Sequence, residues 1–115
     1  MKKMMILMLG VGGLLILQNC SSSKNMAKKE VVVSFDKDVM PILKMSCTPC
    51  HFPPDGRKEP LNTYDAVKKN FAEMLTRVKL PSTDNKFMPF KSKKPALSDS
   101  AINVLVKWQA QNMPQ

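Results

Sequence analysis

Apolar residues recur at helical spacing in three segments of this chain after residue 35, and each segment predicts an amphipathic helix. The apolar face of the first segment consists of Val39, Ile42 and Leu43. We predict a helix over residues 39–45, capped by Asp36 or Asp38. Pro41 is acceptable in its first turn, because the backbone donor there has no helical partner.

The second segment begins at Asn62 or Thr63, either of which is a good N-cap, and it ends before Pro81. Its apolar face consists of Tyr64, Val67, Phe71, Leu75 and Val78. Asn70 is a point at which this segment could divide into two shorter helices.

The third segment has the clearest start, with Ser98 as N-cap and Asp99 in the first turn. Its apolar face consists of Ala101, Val104, Leu105 and Trp108, with Ile102 and Val106 beside it. The short β-branched run at residues 31–33 is interpreted as a lead-in rather than as part of a sheet. The pattern therefore predicts an all-α fold with three to four helices.

The amino terminus has the pattern of an export signal. Lys2 and Lys3 precede an uncharged apolar run at residues 4–17, which is shorter than the roughly 20 residues that span a bilayer. Leu17-Gln18-Asn19-Cys20 resembles a bacterial lipoprotein signal, and the resemblance implies cleavage before Cys20 and lipidation of that cysteine. Ordinary signal cleavage nearby and an uncleaved anchor remain the alternatives. We predict export to the periplasmic side of a bacterial membrane.

These features divide the chain into a signal peptide at residues 1–19, a lipid-anchored flexible tether at 20–34 and one domain at 35–115. The tether is polar and contains serine and lysine, and as a flexible coil it would span roughly 20 Å. A domain this short buries a marginal core by itself, so a large apolar cofactor would add much to its stability.

The segment Cys47-Thr48-Pro49-Cys50-His51 directly follows the first predicted helix. Two thiols at this spacing can form thioethers with the two vinyl groups of one porphyrin, and the adjacent histidine can be the proximal ligand of its iron. We therefore predict one haem c, covalently bound through Cys47 and Cys50 and ligated by His51.

Two other sites use the same cysteine spacing. A structural zinc site needs four ligands, and the chain offers only Cys47, Cys50 and one histidine once Cys20 is lipidated. A thioredoxin-like thiol pair belongs at a strand-to-helix junction, which the pattern does not contain. With all three cysteines assigned, no thiol is left for a structural disulfide.

The chain contains a single histidine, which excludes a second histidine ligand, so the candidates for the sixth position on the iron are the methionines. After signal removal the methionines are Met26, Met40, Met45, Met74, Met88 and Met113. We predict Met88, because it lies in an irregular proline-flanked stretch from which a thioether can project, with Phe87 and Phe90 as walls of the haem edge. Met74 is the alternative, although a methionine on an apolar helix face is more often part of the core.

The order of several motifs resembles the small single-haem bacterial class I cytochromes c over residues 35–115. The resemblance rests on the segment from Phe35 to Leu43, the haem motif, Leu61-Asn62-Thr63-Tyr64, Met88-Pro89, and Leu97-Ser98-Asp99 leading to Trp108. It implies a cytochrome c-like fold in which the terminal helices cross, haem lies in a cleft, and histidine and methionine are the axial ligands. Phe52 follows the motif, where many members of that family carry glycine.

Histidine and methionine ligation leaves no open iron position, so this set suits an electron carrier rather than an enzyme. His51 is used as a ligand and the carboxylates are scattered, so no acid/base pair is available beside the haem. The alternative classes are a haem-based ligand sensor, in which Met88 is displaced, and a thiol-disulfide protein.

The chain is basic, with a formal net charge of +9, and removal of the signal takes away Lys2 and Lys3. It lacks the combination of aromatic and arginine residues typical of a nucleic-acid surface, so we expect no nucleic-acid partner. Four lysines surround the expected ligand Met88, namely Lys86, Lys91, Lys93 and Lys94. They predict a redox partner protein with an acidic docking face, although a lysine-rich loop is often no more than a solvated surface.

Overall fold

The computed structural model describes residues 29–115, so the expected signal peptide, Cys20 and Met26 lie outside the described residues. Within residues 29–115 the chain forms three α-helices and no strand, which confirms the all-α prediction. In the same range no helix combines the length and the apolar character needed to cross a membrane.

The first helix, α1, extends over Met40–Cys47 and is preceded by a π-helical turn over Phe35–Val39. Helical structure therefore starts four residues earlier than predicted, because Phe35 and Val39 are both buried and anchor this turn to the core. Asp38, a predicted cap, accepts a hydrogen bond from the backbone N–H of Ser34 at 2.7 Å, so its carboxylate reaches back from inside the first turn.

The second helix, α2, extends over Tyr64–Val78 without a break. Thr63 is the N-cap, and its hydroxyl oxygen accepts from the backbone N–H of Ala66 at 3.3 Å. Asn70 does not divide the helix, because its side-chain amide donates to the carbonyl of Ala66 at 3.0 Å and to the carboxylate of Glu59 at 3.1 Å. The amide shares the Ala66 carbonyl with the helical backbone and also joins α2 to the loop before it, and the helix stays continuous.

The third helix, α3, extends over Asp99–Ala110. Ser98 caps it as predicted, with its hydroxyl oxygen accepting from the N–H of Ala101 at 3.2 Å. An irregular segment with one 3-10 turn at Phe90–Ser92 connects α2 to α3. α3 packs against α2 and against the π-helical turn, so the two ends of the domain meet.

The core is built around Trp108, which is fully buried. The rings of Phe35, Tyr64 and Phe71 surround it, with centroids 5.7, 6.2 and 5.1 Å from that of the indole. The Trp108 Nε1–H donates to the carbonyl of Pro114 at 2.7 Å, so the polar edge of the indole is satisfied inside the core.

The chain before the π-helical turn is held against the end of α3 by Gln111. Its side chain accepts from the N–H of Val33 at 2.8 Å and donates to the carbonyl of Val31 and the carboxylate of Glu30, both at 3.1 Å. Val33 is 6% exposed and belongs to the hydrophobic core. Packed structure therefore begins within the stretch interpreted from the sequence as tether.

Candidate functional site

A cavity of about 750 Å³ lies between the turn after α1, one face of α2 and the irregular segment before α3. Among its lining residues are Cys47, Cys50, His51, Met74 and Met88. Every residue that the sequence assigned to haem attachment or iron ligation therefore lies at one cavity.

The attachment motif occupies the turn that directly follows α1. The N–H of His51 donates to the carbonyl of Cys47 at 3.0 Å and closes a turn directly after the helix, in which Thr48 has an extended backbone. The following loop then folds back, because the N–H of Lys58 donates to the carbonyl of Cys50 at 3.1 Å and that of Leu61 to the carbonyl of His51 at 2.9 Å. These bonds hold the motif at the cavity wall.

Gly56 lies where the returning loop passes the motif. A Cβ atom at this position would overlap the backbone carbonyls of Pro49 and Cys50. The close approach of the two backbone segments therefore requires glycine.

The imidazole of His51 is oriented by a hydrogen bond to the returning loop. Its Nδ1 lies 2.6 Å from the carbonyl oxygen of Glu59, and because a carbonyl only accepts, Nδ1 carries the proton. The other ring nitrogen, Nε2, then has its lone pair free for a ligand.

The side chains of the two cysteines have different surroundings. Cys50 is exposed, whereas Cys47 is half-buried. Burial raises the pKa of the Cys47 thiol to about 11, and the ammonium group of Lys94 offsets part of this rise. Cys47 is also the last residue of α1, where the helix dipole disfavours a thiolate.

Two of the described methionines line the cavity, Met74 from α2 and Met88 from the irregular segment. The backbone N–H of Met88 donates to the carbonyl of Arg77 at 3.2 Å, which fixes this segment to α2. Met74 is 8% exposed and also belongs to the hydrophobic core, whereas Met88 is less deeply buried. Met40, Met45 and Met113 are not part of the cavity wall.

The two phenylalanines beside Met88 have different environments. Phe90 lines the cavity and is 47% exposed. Phe87 instead lies in a separate groove of about 450 Å³ formed with Val78 and Ile102. The prediction that both rings wall the cavity is wrong for Phe87, because its ring is buried at the junction of α2 and α3.

Polar residues complete the wall, and sequence reasoning did not find most of them. They include Lys58, Glu59, Asn70, Glu73, Arg77 and Asn85. They come from α2 and two separate loops, so no local spacing in the sequence brings them together. Of the four lysines near Met88, Lys93 and Lys94 line the cavity and Lys86 and Lys91 do not.

Within residues 29–115, no three side chains of histidine, cysteine, aspartate or glutamate are grouped so that they could hold a metal ion. Comparison of the chain with protein-family models, with curated proteins and with solved structures found no match.

Proposed function

We propose that this protein is an electron carrier with a cytochrome c-like fold and one haem c, attached through Cys47 and Cys50 and ligated by His51 and Met88. The observation that carries the proposal is the convergence of both thiols, the histidine and a loop methionine on a single cavity. The meeting of α3 with the π-helical turn before α1 agrees with terminal helices that cross. The same proposal includes export and a lipid anchor at Cys20, on the periplasmic side of a bacterial membrane.

The size and chemistry of the cavity fit this cofactor. A volume of about 750 Å³ lies within the range of about 300 to 1,000 Å³ that is usual for ligand and cofactor sites. Leu61, Val78 and Leu97 supply apolar wall for a macrocycle, and the polar side chains at the margin can face its carboxylates. An imidazole nitrogen and a thioether sulfur are an established axial pair for low-spin haem.

The orientation of His51 supports its role as a ligand. Metal-bound histidines commonly donate their second ring N–H to a carbonyl or carboxylate, which fixes the tautomer and the ring plane. The bond from Nδ1 to Glu59 has this form, and it directs the proton away from Nε2.

When bound, haem supplies one-electron redox chemistry. Cys47 and Cys50 would hold it in place, His51 and Met88 would bind its iron, and no iron position would then be left for a substrate. Because both side chains would stay bound in the two redox states, little of the protein would need to rearrange on electron transfer, which suits a carrier rather than a catalyst.

The surroundings of Cys47 oppose the thiol-disulfide alternative. Redox thiols have a lowered pKa and commonly lie at the amino end of a helix. Cys47 instead lies at the carboxyl end of α1, and its pKa is raised by burial. A thiol with these properties is a weak nucleophile near neutral pH.

The proposal is tested by expressing the full chain with its signal in a bacterium that carries the haem-attachment machinery. We expect haem that stays with the polypeptide after denaturation, no free thiol at residues 47 and 50, and the weak red absorption band of histidine and methionine ligation. A colourless product with two free thiols would contradict it.

The sixth ligand is tested by comparing Met88→Ala with Met74→Ala. We expect the Met88 variant to bind carbon monoxide readily, to keep its covalent haem, and to lose at least about 59 mV of reduction potential, the equivalent of a tenfold change in a one-electron equilibrium constant. Met74→Ala should keep the wild-type values. The reverse result would assign Met74, and a wild-type protein that already binds carbon monoxide would favour the sensor.

A further inference from the structure

Lys94 differs from the neighbouring lysines of the segment that carries Met88. Its side chain is half-buried, whereas Lys91 and Lys93 are exposed. The Lys94 Nζ donates to the backbone carbonyl of Met45 at 2.7 Å and to the hydroxyl of Thr48 at 2.9 Å. Its charge is therefore engaged inside the protein rather than presented to solvent.

Both acceptors lie on the side of the attachment motif: Thr48 lines the cavity, and Met45 belongs to α1 directly before it. Met45 is in the last turn of α1, where the unpaired carbonyls carry partial negative charge and attract a cation. Thr48 stands between the two cysteines, and its hydroxyl donates onward to the carbonyl of Lys44 at 2.7 Å. Lys94 thus caps α1 from a distant part of the chain and contacts the attachment motif itself.

Within residues 29–115, hydrogen bonds join the segment 81–97 to the rest of the chain at two places. One is the bond from the N–H of Met88 to Arg77 on α2, and the other is the pair of bonds from Lys94 to the attachment side. Residues 89–93 lie between these two anchors, and several of them form the wall of the cavity. Release of Lys94 would leave the segment hydrogen-bonded to the rest of the chain on the α2 side alone.

We propose that Lys94 is a positioning residue that latches the Met88 segment to the attachment motif and thereby controls how readily the sixth position opens. This inference rests on the proposed function, in which Met88 occupies that position. Lys94 acts through the loop and through Thr48, since its ammonium group is bonded to Met45 and Thr48. Charge-assisted hydrogen bonds of this kind are among the stronger ones in proteins, so their loss shifts a closed segment toward an open one.

The test uses the complete haem-loaded protein with Lys94→Leu, which keeps an apolar stem but has no donor. Lys94→Arg is the conservative rescue, and Lys91→Leu is the matched control, which changes the net charge equally at an exposed position. We measure carbon monoxide association with the reduced protein, together with the free energy of unfolding in denaturant.

We expect Lys94→Leu to accelerate carbon monoxide association about tenfold, which corresponds to about 1.4 kcal/mol at 25 °C. Lys94→Arg should restore the rate to within a few-fold of wild type, and Lys91→Leu should leave it unchanged. A lower unfolding free energy with an unchanged association rate would show a merely structural role and overturn the inference.

A second variant covers the case in which Lys94→Leu does not accumulate. Thr48→Val keeps the shape of the side chain but removes one of the two acceptors, and we expect a smaller acceleration in the same direction. A wild-type rate in Thr48→Val would then overturn the latch. Failure of the proposed function is distinguishable, because the wild-type protein would itself lack covalent haem or the band of methionine ligation.

Discussion

Individual residues set the geometry of the attachment loop, and Gly56 is the most restrictive of them. The returning loop passes the motif so closely that a Cβ atom would meet the carbonyls of Pro49 and Cys50. The same loop provides the carbonyl of Glu59 that orients His51. A change at residue 56 should therefore alter the orientation of the His51 imidazole as well as the stability of the domain.

We expect Gly56→Ala to lower the unfolding free energy of the haem-loaded protein by about 1–3 kcal/mol, because the methyl group forces two backbone segments apart. Denaturant titration measures this loss, and the yield of covalent haem should fall with it. Asp55→Ala is the control, since Asp55 is exposed and adjacent. Equal stability of Gly56→Ala and wild type would show that the loop can move aside without cost.

At the scale of the elements, side-chain caps define where α2 and α3 begin, whereas burial of apolar residues extends the helical structure before α1. Thr63 and Ser98 each accept one backbone donor of the first turn of α2 and α3. The π-helical turn before α1 has no such side-chain cap and depends instead on the burial of Phe35 and Val39.

Replacement of the α3 cap provides a test at this scale. Ser98→Ala should reduce the unfolding free energy by about 1 kcal/mol, because the N–H of Ala101 loses its acceptor. Ser98→Asp should recover most of the loss, since a carboxylate accepts the same bond. If thermal melting of the three proteins coincides, the cap does not contribute to stability.

At the scale of the whole molecule, the cavity is continuous with the hydrophobic core. Leu61, Met74 and Val78 belong to both. Because a domain of this size has a marginal core, a cofactor that contacts these residues would contribute directly to folding.

We therefore expect Cys47→Ala combined with Cys50→Ala to abolish the folded domain together with its colour. Far-UV circular dichroism of the exported double variant measures the loss of helix. Cys20→Ala, which changes only the expected lipid anchor, should retain native helicity. Cooperative melting of the haem-free double variant would mean that the polypeptide core is sufficient by itself.

Docking to an acidic partner is tested at the same scale, and the structure changes the choice of residues. Lys94 is engaged with Met45 and Thr48, so reversal of its charge would disturb the loop as well as the surface. Lys91 and Lys93 are exposed beside the cavity-lining Phe90 and are the better probes.

We expect Lys91→Glu with Lys93→Glu to slow electron transfer to membranes of the native host about tenfold without changing the haem spectrum. The wild-type rate should also fall as salt shortens the Debye length to about 8 Å or less. Lys37→Glu with Lys69→Glu makes the same change in net charge at exposed positions that do not line the cavity. If the rate depends neither on salt nor on the charge reversal at Lys91 and Lys93, these two lysines contribute to solubility and not to docking.

The sequence alone was sufficient for the features that depend on local chemistry. The helical period placed α2 and α3, and the hydroxyl residues Thr63 and Ser98 marked their starts, because capping involves neighbouring residues of one segment. The motif at Cys47 to His51 places two thiols and an imidazole close together in the sequence, and the haem attachment predicted from it stays a prediction. The π-helical turn was missed because its formation depends on burial of Phe35 against Tyr64 and Trp108, which are distant in the sequence.

Only the tertiary structure decided which residues share the cavity. Met74 and Met88 line it from two separate elements, and Arg77 and Lys58 also belong to its wall. Phe87 lines a different groove. Nothing in the sequence distinguishes Lys94 from the lysines around it, yet the fold places its ammonium group at the end of α1. Such contacts join residues that are far apart in the sequence, and they depend on how the three helices pack. A local pattern of residues does not predict them.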